Sequence, residues 1–424
     1  MLSKYLLITL LLLFPFGQLT KISLFNGTGS LYLHDILIIF YLIISIKKSP
    51  ALIPKIIKHK YFIAFFISSL ISLLLALKFL TYDQLLVSGL YLFRLLSYIL
   101  VFYLLIHDVS LNKTDLKPYL IISFILNLIL GFGQYFLFPS LEPLFAAGWD
   151  RHFNRLAGSW LDTGFTGLIL SLQFLYLLNL DKVKIYTKSK NTLSHFQSKA
   201  RNQETNASLD FSVVNSFEIA RKNVEWGINN IYLRIILLFL TFTAVMLTYS
   251  RSSFLALLMG SVVLLLRKKM VKGIWFILGF FVIGLLLLPQ TFGEGTKLLR
   301  MSTISSRLGS WEQGINLFVK KPILGYGFDS LRYVKKDIGL ETIKWEVSHS
   351  AGGFENSLIT LLATSGIVGT VLLLTWIIKL NIRNKHNPLV LASFVAVFVH
   401  GMFANSWFYP WVIIWLGLML VLSD

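Results

Sequence analysis

Residues 361–380 read LLATSGIVGTVLLLTWIIKL, twenty positions with one charge, Lys379. A helix of about 20 apolar residues matches the ~30 Å hydrocarbon core of a bilayer. Lipid offers no partner to backbone N–H and C=O groups, so such a run must be a helix or part of a closed barrel. Barrel strands would alternate apolar and polar residues over about ten positions. Solid blocks such as LLLTWII (372–378) and LLFLTF (237–242) replace that alternation here, so helices are predicted. Outward from this run, similar stretches recur along the whole chain. They predict about 12 spans: Lys4–Gln18, Leu31–Ile46, Tyr61–Phe79, Leu85–Ile106, Tyr119–Phe138, Trp160–Leu180, Ile231–Thr248, Ser252–Leu266, Gly273–Leu288, Asn356–Leu380, Pro388–Asn405 and Tyr409–Leu422. The expected fold is an all-α polytopic membrane helical bundle, one membrane domain over 1–424, with one large extracytoplasmic loop that contains short amphipathic helices.

Composition agrees with this. Of 424 residues, 55% are hydrophobic and 14% charged, too little polar surface to cover a soluble core of this size. The net charge of +19 comes largely from Lys and Arg between the apolar runs, where they orient helices, so nucleic acid is not the expected partner. The absence of cysteine excludes disulfides and thiolate-held metals. The N-terminus, MLSKYLLITLLLLFPF, has no clear small-residue cleavage site and reads as a retained first helix.

Orientation follows from the connections. Loop 47–60 carries Lys47, Lys48, Lys55, Lys58 and Lys60 without an acid; segment 181–230, RKKMVK (267–272) and NIRNKHNP (381–388) are also basic. Twelve spans put all of these, and both termini, on the cytoplasmic side. Segment 181–230 is polar and aperiodic, the composition of a cytoplasmic insertion. The connection 289–355 falls outside. Within it Ser305–Lys321 reads as an amphipathic helix with Leu308, Trp311, Ile315 and Phe318 on one face, a cap at Ser305 or Ser306, and Pro322 as its stop. A Gly-rich turn at PILGYGFDS and a shorter amphipathic piece at Leu331–Ile338 follow.

Arginines at the predicted outer boundary are the candidate chemistry. Arg251 follows the seventh span among Ser250, Ser252 and Ser253; it is either a snorkelling anchor or, with these hydroxyls, phosphate-binding hardware. Arg307 sits near the start of the loop helix, and Arg155, with Arg151, precedes the sixth span. Arg94 lies inside the fourth span, where a charge is costly and needs a partner, Asp35 being one candidate, or a water-filled cavity. His349 and Glu355 end the loop; either is a surface or helix-terminus charge, or a general base for a sugar hydroxyl. His349 has the more suitable ordinary pKa. No HExxH, CxxC, Walker or GxGxxG pattern occurs, so neither a metal nor a nucleotide cofactor is expected.

SRSSFLALL closing one span, RLGSWEQGINLFVKKPILGYGFDS in the loop and HSAGGFENSLITLLATSGIVG entering the next span come in an order that resembles the O-antigen ligase and polymerase family of bacterial inner membranes. The resemblance covers roughly 245–375. It implies a glycosyltransferase that moves a glycan from undecaprenyl diphosphate to a lipid anchor or a growing chain, with no cofactor, at the outer face of the cytoplasmic membrane. It further implies that Arg251 and Arg307 bind the diphosphate. The family's His-Asn pair is replaced in register by Glu355-Asn356 before Gly366, with His349 six residues upstream, so the base is His349 or Glu355. Ligase and polymerase stay equally open. The competing class is a flippase or other polytopic transporter, which would place charges along a central path and usually carry internal repeats.

Overall fold

The structure, a computed structural model, describes residues 2–48, 59–108, 113–180, 231–289, 294–298, 302–340, 345–348 and 350–423. The polar segment 181–230, most of loop 47–60 and His349 lie outside the described residues.

The protein is helical. In chain order the helices are α1 (Leu2–Leu13), α2 (Leu33–Lys48), α3 (Lys60–Leu75), α4 (Tyr82–Ile106), α5 (Lys117–Leu137), α6 (Thr163–Asn179), α7 (Ile231–Leu247), α8 (Arg251–Arg267), α9 (Val271–Leu286), α10 (Ser302–Lys320), α11 (Leu331–Asp337), α12 (Ser357–Arg383), α13 (Pro388–Gly401) and α14 (Pro410–Ser423). Among the described residues, five stretches are long and apolar enough to cross a bilayer: Ser3–Thr20 and Lys60–Lys78, which are α1 and α3 each continued by a 3-10 turn, and α4, α5 and α12. Helices α6, α7, α9, α13 and α14 are shorter and apolar. The outward face of α9 shows why lipid is the natural solvent, since Trp275 and Phe276 are 73% and 74% exposed.

Local chemistry sets several element ends. Thr81 and Gln84 form a reciprocal capping box at the start of α4. Asp162, Ser250, Asn356 and Asn387 cap α6, α8, α12 and α13 through their side-chain oxygens. Arg234 donates to the last carbonyls of α6, Leu177 and Leu178, at 2.9 and 3.1 Å. The structure departs from the sequence reading at the ends of several elements, and again inside α12. The loop helix α10 starts at Ser302, ahead of the expected Ser caps. The first span leaves α-geometry after Leu13 and turns at Gly17. An antiparallel hairpin, β1 (Lys21–Leu24) with β2 (Gly29–Tyr32), stands between α1 and α2 where a plain connection was expected, because KISL and GSLY are too short to show a period.

Contacts define two ends of the bundle. At one end Arg267 donates to the Lys385 carbonyl, Lys268 to the Asn179 carbonyl at 2.5 Å, and Lys4 pairs with Asp115 at 2.6 Å. The basic connections 267–272 and 381–388 thus meet at this end. The hairpin, α10, α11 and the starts of α6, α8 and α12 lie at the other end.

Helix α12 is broken. Gly366 has φ 62° and ψ −170°, a region that is essentially glycine-only. The loop segment 322–327 fits against this break and exchanges backbone hydrogen bonds with it: Tyr326 and Gly327 donate to the Ala363 and Thr364 carbonyls at 2.9 Å, and Ile367 and Val368 donate to Pro322 and Ile323 at 2.8 and 3.3 Å. Irregular backbone at membrane depth is tolerable where protein supplies the missing partners, as here. A Cβ on Gly366 would fall on the Ile323 carbonyl. Gly366→Ala is expected to destabilise the protein by about 3 kcal/mol or more, from backbone strain and lost packing together, read as a lower unfolding temperature and a poorer yield of monodisperse protein in detergent.

Candidate functional site

A cavity of about 1080 Å³ opens at the hairpin end and is lined by Arg94, Arg155, Arg251, Arg307 and Glu355, five of the six site residues picked from the sequence. His349, the sixth, lies outside the described residues. Its flank is fixed: Arg332 Nη1 donates to the carbonyls of Trp345, Glu346 and Ser348 at 2.6, 3.0 and 2.8 Å.

Helix starts converge on the same space. Arg251 opens α8, Thr163 opens α6, and Glu355 stands just before the Asn356 cap of α12. Helix N-termini carry partial positive charge and favour anions. Asn356 Oδ1 accepts from Leu358 N and Ile359 N at 2.9 and 3.1 Å, and its Nδ2 donates to the Met402 carbonyl at 3.0 Å, so the start of α12 is tied to the α13–α14 connection.

The arginines hold different posts. Arg155 is 8% exposed and donates to the Thr248 and Tyr249 carbonyls at 3.0 and 3.4 Å, bracing the turn that leads into α8. Arg251 donates from Nη1 to the Leu298 carbonyl at 3.3 Å, and its buried Nη2 has no hydrogen-bond partner among the described residues. The charge of Arg307 acts on Arg251, which puts two guanidinium groups in one neighbourhood. Arg307 Nε pairs with Glu355 Oε2 at 2.9 Å. Backbone bonds hold Glu355 in turn: Trp311 Nε1 donates to its carbonyl at 3.0 Å, and its N–H donates to Ser310 Oγ at 3.2 Å. Glu355 therefore aims Arg307. Arg94 resolves its two sequence readings by combining them, since it pairs with Asp35 at 2.7 Å and also borders the cavity.

Several cavity residues were not singled out from sequence. Lys21, Asp329 and Arg332 come from the hairpin and from the GYGFDS–α11 corner, and only the turn glycines of that corner gave a signal. Burial, then the charge of Arg332, pulls the Lys21 ammonium below its ordinary pKa. Asp150, His152 and Asp162 are the group of described residues whose ligand atoms come within 4.8 Å of one another, close enough to share a cation. Burial first, and then the Asp162 charge, lifts the Asp150 carboxyl above its usual range; His152 and Arg155 oppose this. Positive charge from Arg155 thus already offsets the group.

Below the polar cavity lies an apolar groove between α3, α4, α12, α13 and α14, lined by residues such as Phe62, Ile99, Trp376 and Leu416. The two spaces share Leu95, Phe408 and Ile413, so the groove adjoins the cationic chamber.

The O-antigen ligase family model matches residues 236–374. A protein of Rickettsia conorii named "Putative polysaccharide ligase" is 29% identical over 38% of this chain and 44% of its own length. The aligned stretch therefore reaches less than half of that relative. The part of the chain that matches the O-antigen ligase family model, residues 236–374, is the part that holds Arg251, Arg307 and Glu355.

Proposed function

We propose that the protein is a glycosyltransferase of the bacterial cytoplasmic membrane that moves a glycan from undecaprenyl diphosphate to a glycan or lipid acceptor at the outer face. The observation that carries this reading is the gathering of Arg251 and Arg307 in one chamber that adjoins an apolar groove. The groove suits an isoprenoid tail and the guanidinium groups suit a diphosphate. Diphosphate leaves readily once its charge is neutralised, and fixed guanidinium groups supply that positive charge without a metal ion. The meeting of the basic connections 267–272 and 381–388 away from the cavity supports a twelve-span topology with both termini in the cytoplasm and 181–230 as a cytoplasmic insertion. Segment 289–355 is then the large outer loop. His349 and Glu355 are the sequence's candidates for the group that takes the acceptor's proton; Arg155 braces the start of α8 behind Arg251. The charges that line the described cavity lie at one end of the bundle, an arrangement suited to chemistry at one surface more than to passage between two.

The test uses purified full chain in detergent, with donor and acceptor glycolipids extracted from cells that lack the gene. Transfer is expected without nucleotide and in the presence of EDTA, at a rate equal to that with added Mg²⁺. Transfer only in sealed vesicles, or none after EDTA, overturns the reading. Product length separates a single ligation from chain growth.

A further inference from the structure

Displacement at a sugar carbon without a covalent intermediate sends the nucleophile in opposite the leaving group. The base that accepts the nucleophile's proton then stands across the reacting carbon from the diphosphate. Glu355 is bonded to Arg307, on the diphosphate side. A different carboxyl fits the other side. We propose that Asp329 is the general base of glycosyl transfer, taking the acceptor hydroxyl's proton from a part of the cavity wall whose charged neighbours are not those of the Arg251–Arg307 pair. This rests on the diphosphate reading above.

Asp329 lines the same cavity from other elements. Its carbonyl accepts from Ser88 of α4 at 3.4 Å, and the neighbouring Phe328 ring packs against Phe65 and Phe408. Helix α4 packs mainly on α2, α3 and α14, whereas α8, which carries Arg251, packs mainly on α6, α9 and α13. The electrostatic neighbourhoods are separate as well. The groups that act on or respond to Asp329 are Arg332 and Tyr333 of α11 and Tyr91 and Arg94 of α4; for Arg251 the acting charge is Arg307. Asp329 also holds a left-handed backbone, φ 56°, where glycine would be unstrained, so this turn keeps a carboxyl at a cost. Burial lifts that carboxyl to about 7, against the opposing pull of Arg332 and Arg94. A base of that strength suits transfer near neutral pH.

The step balances. The acceptor O–H bond breaks and its proton moves to an Asp329 carboxylate oxygen; the acceptor oxygen bonds to the anomeric carbon. The bond from that carbon to the diphosphate oxygen breaks, and its electron pair leaves with undecaprenyl diphosphate beside Arg251 and Arg307.

Asp329→Asn is the test, because Asn keeps the shape, tolerates the left-handed backbone and cannot take the proton. The assay uses the full chain in detergent and the same extracted glycolipids. Its kcat is expected to fall about 100-fold or more, with both KM values changed by less than about threefold. Wild-type kcat should fall as pH drops through about 7, where the carboxyl becomes protonated, and Asp329→Asn should lose that limb. Asp329→Glu should recover part of kcat together with an acid limb. Wild-type kcat in Asp329→Asn, or a reduced kcat with the acid limb intact, overturns the proposal. Arg251→Ala run in parallel separates the two readings: if it is inactive while Asp329→Asn is normal, only the base is wrong; if Arg251→Ala transfers normally, the diphosphate reading fails.

Discussion

Arg251→Ala is expected to lower kcat for glycan transfer by about 10²–10³-fold, the effect of removing one fixed donor from a developing oxyanion. Arg251 opens α8, so the substitution removes a side-chain cation from a helix start that already favours anions. Its buried Nη2, without a hydrogen-bond partner among the described residues, is the atom whose desolvation the substrate would repay. Arg251→Lys should restore little, because a point charge cannot reproduce the two-pronged guanidinium contact with phosphate oxygens. Arg307→Ala should give a loss of the same order; Glu355→Gln should act through Arg307, raising donor KM more than it lowers kcat. Steady-state kinetics on detergent-purified variants with matched unfolding temperatures check this. Wild-type kcat in Arg251→Ala would remove the basis for a diphosphate site here.

Asp35→Ala is expected to cost about 3–5 kcal/mol of stability, the penalty for stranding a buried charge. The Asp35 and Arg94 side chains are 4% and 15% exposed and meet at 2.7 Å. The carboxylate also accepts from the Tyr98 hydroxyl at 2.7 Å and the Tyr32 N–H at 2.8 Å, while Arg94 donates to the Ser30 carbonyl. Removing Asp35 leaves the guanidinium without its counter-charge and loosens the hairpin from α4, so the cavity wall is lost with the stability. Replacing both partners, as in Arg94→Met with Asp35→Leu, should recover most of the unfolding temperature, since an apolar pair of similar volume carries no desolvation penalty. Thermal unfolding of the two single variants and the double variant gives the coupling directly; a double variant as unstable as the sum of the singles would show that the pair does not couple.

Helices and their order were legible because each apolar run is long and solid, and a lipid-facing helix needs no compensating polar pattern. The loop helix was legible from the spacing of Leu308, Trp311, Ile315 and Phe318. Arg251, Arg307 and Glu355 were found through motif order, and their convergence followed from three helix starts meeting at one end. What the sequence hid were relations across distance. The Glu355–Arg307 pair joins residues 48 positions apart, and the Arg94–Asp35 pair could only be offered as one option. Asp329 looked like part of a turn, because the burial that alters its chemistry comes from α4 and α11. The hairpin was missed because four-residue strands give too few positions for a period.

The seam between 322–327 and the broken middle of α12 bears on how such proteins diverge. Backbone amides of each segment are completed by carbonyls of the other, so neither half is a self-contained module. A recombinant that took the 289–355 loop from one homologue and the following helix from another would have to match two glycine turns to within a fraction of an ångström. Exchange of specificity between related strains should therefore travel as one contiguous block running from α10 through Gly366, and crossovers inside that block should be rare among functional hybrids.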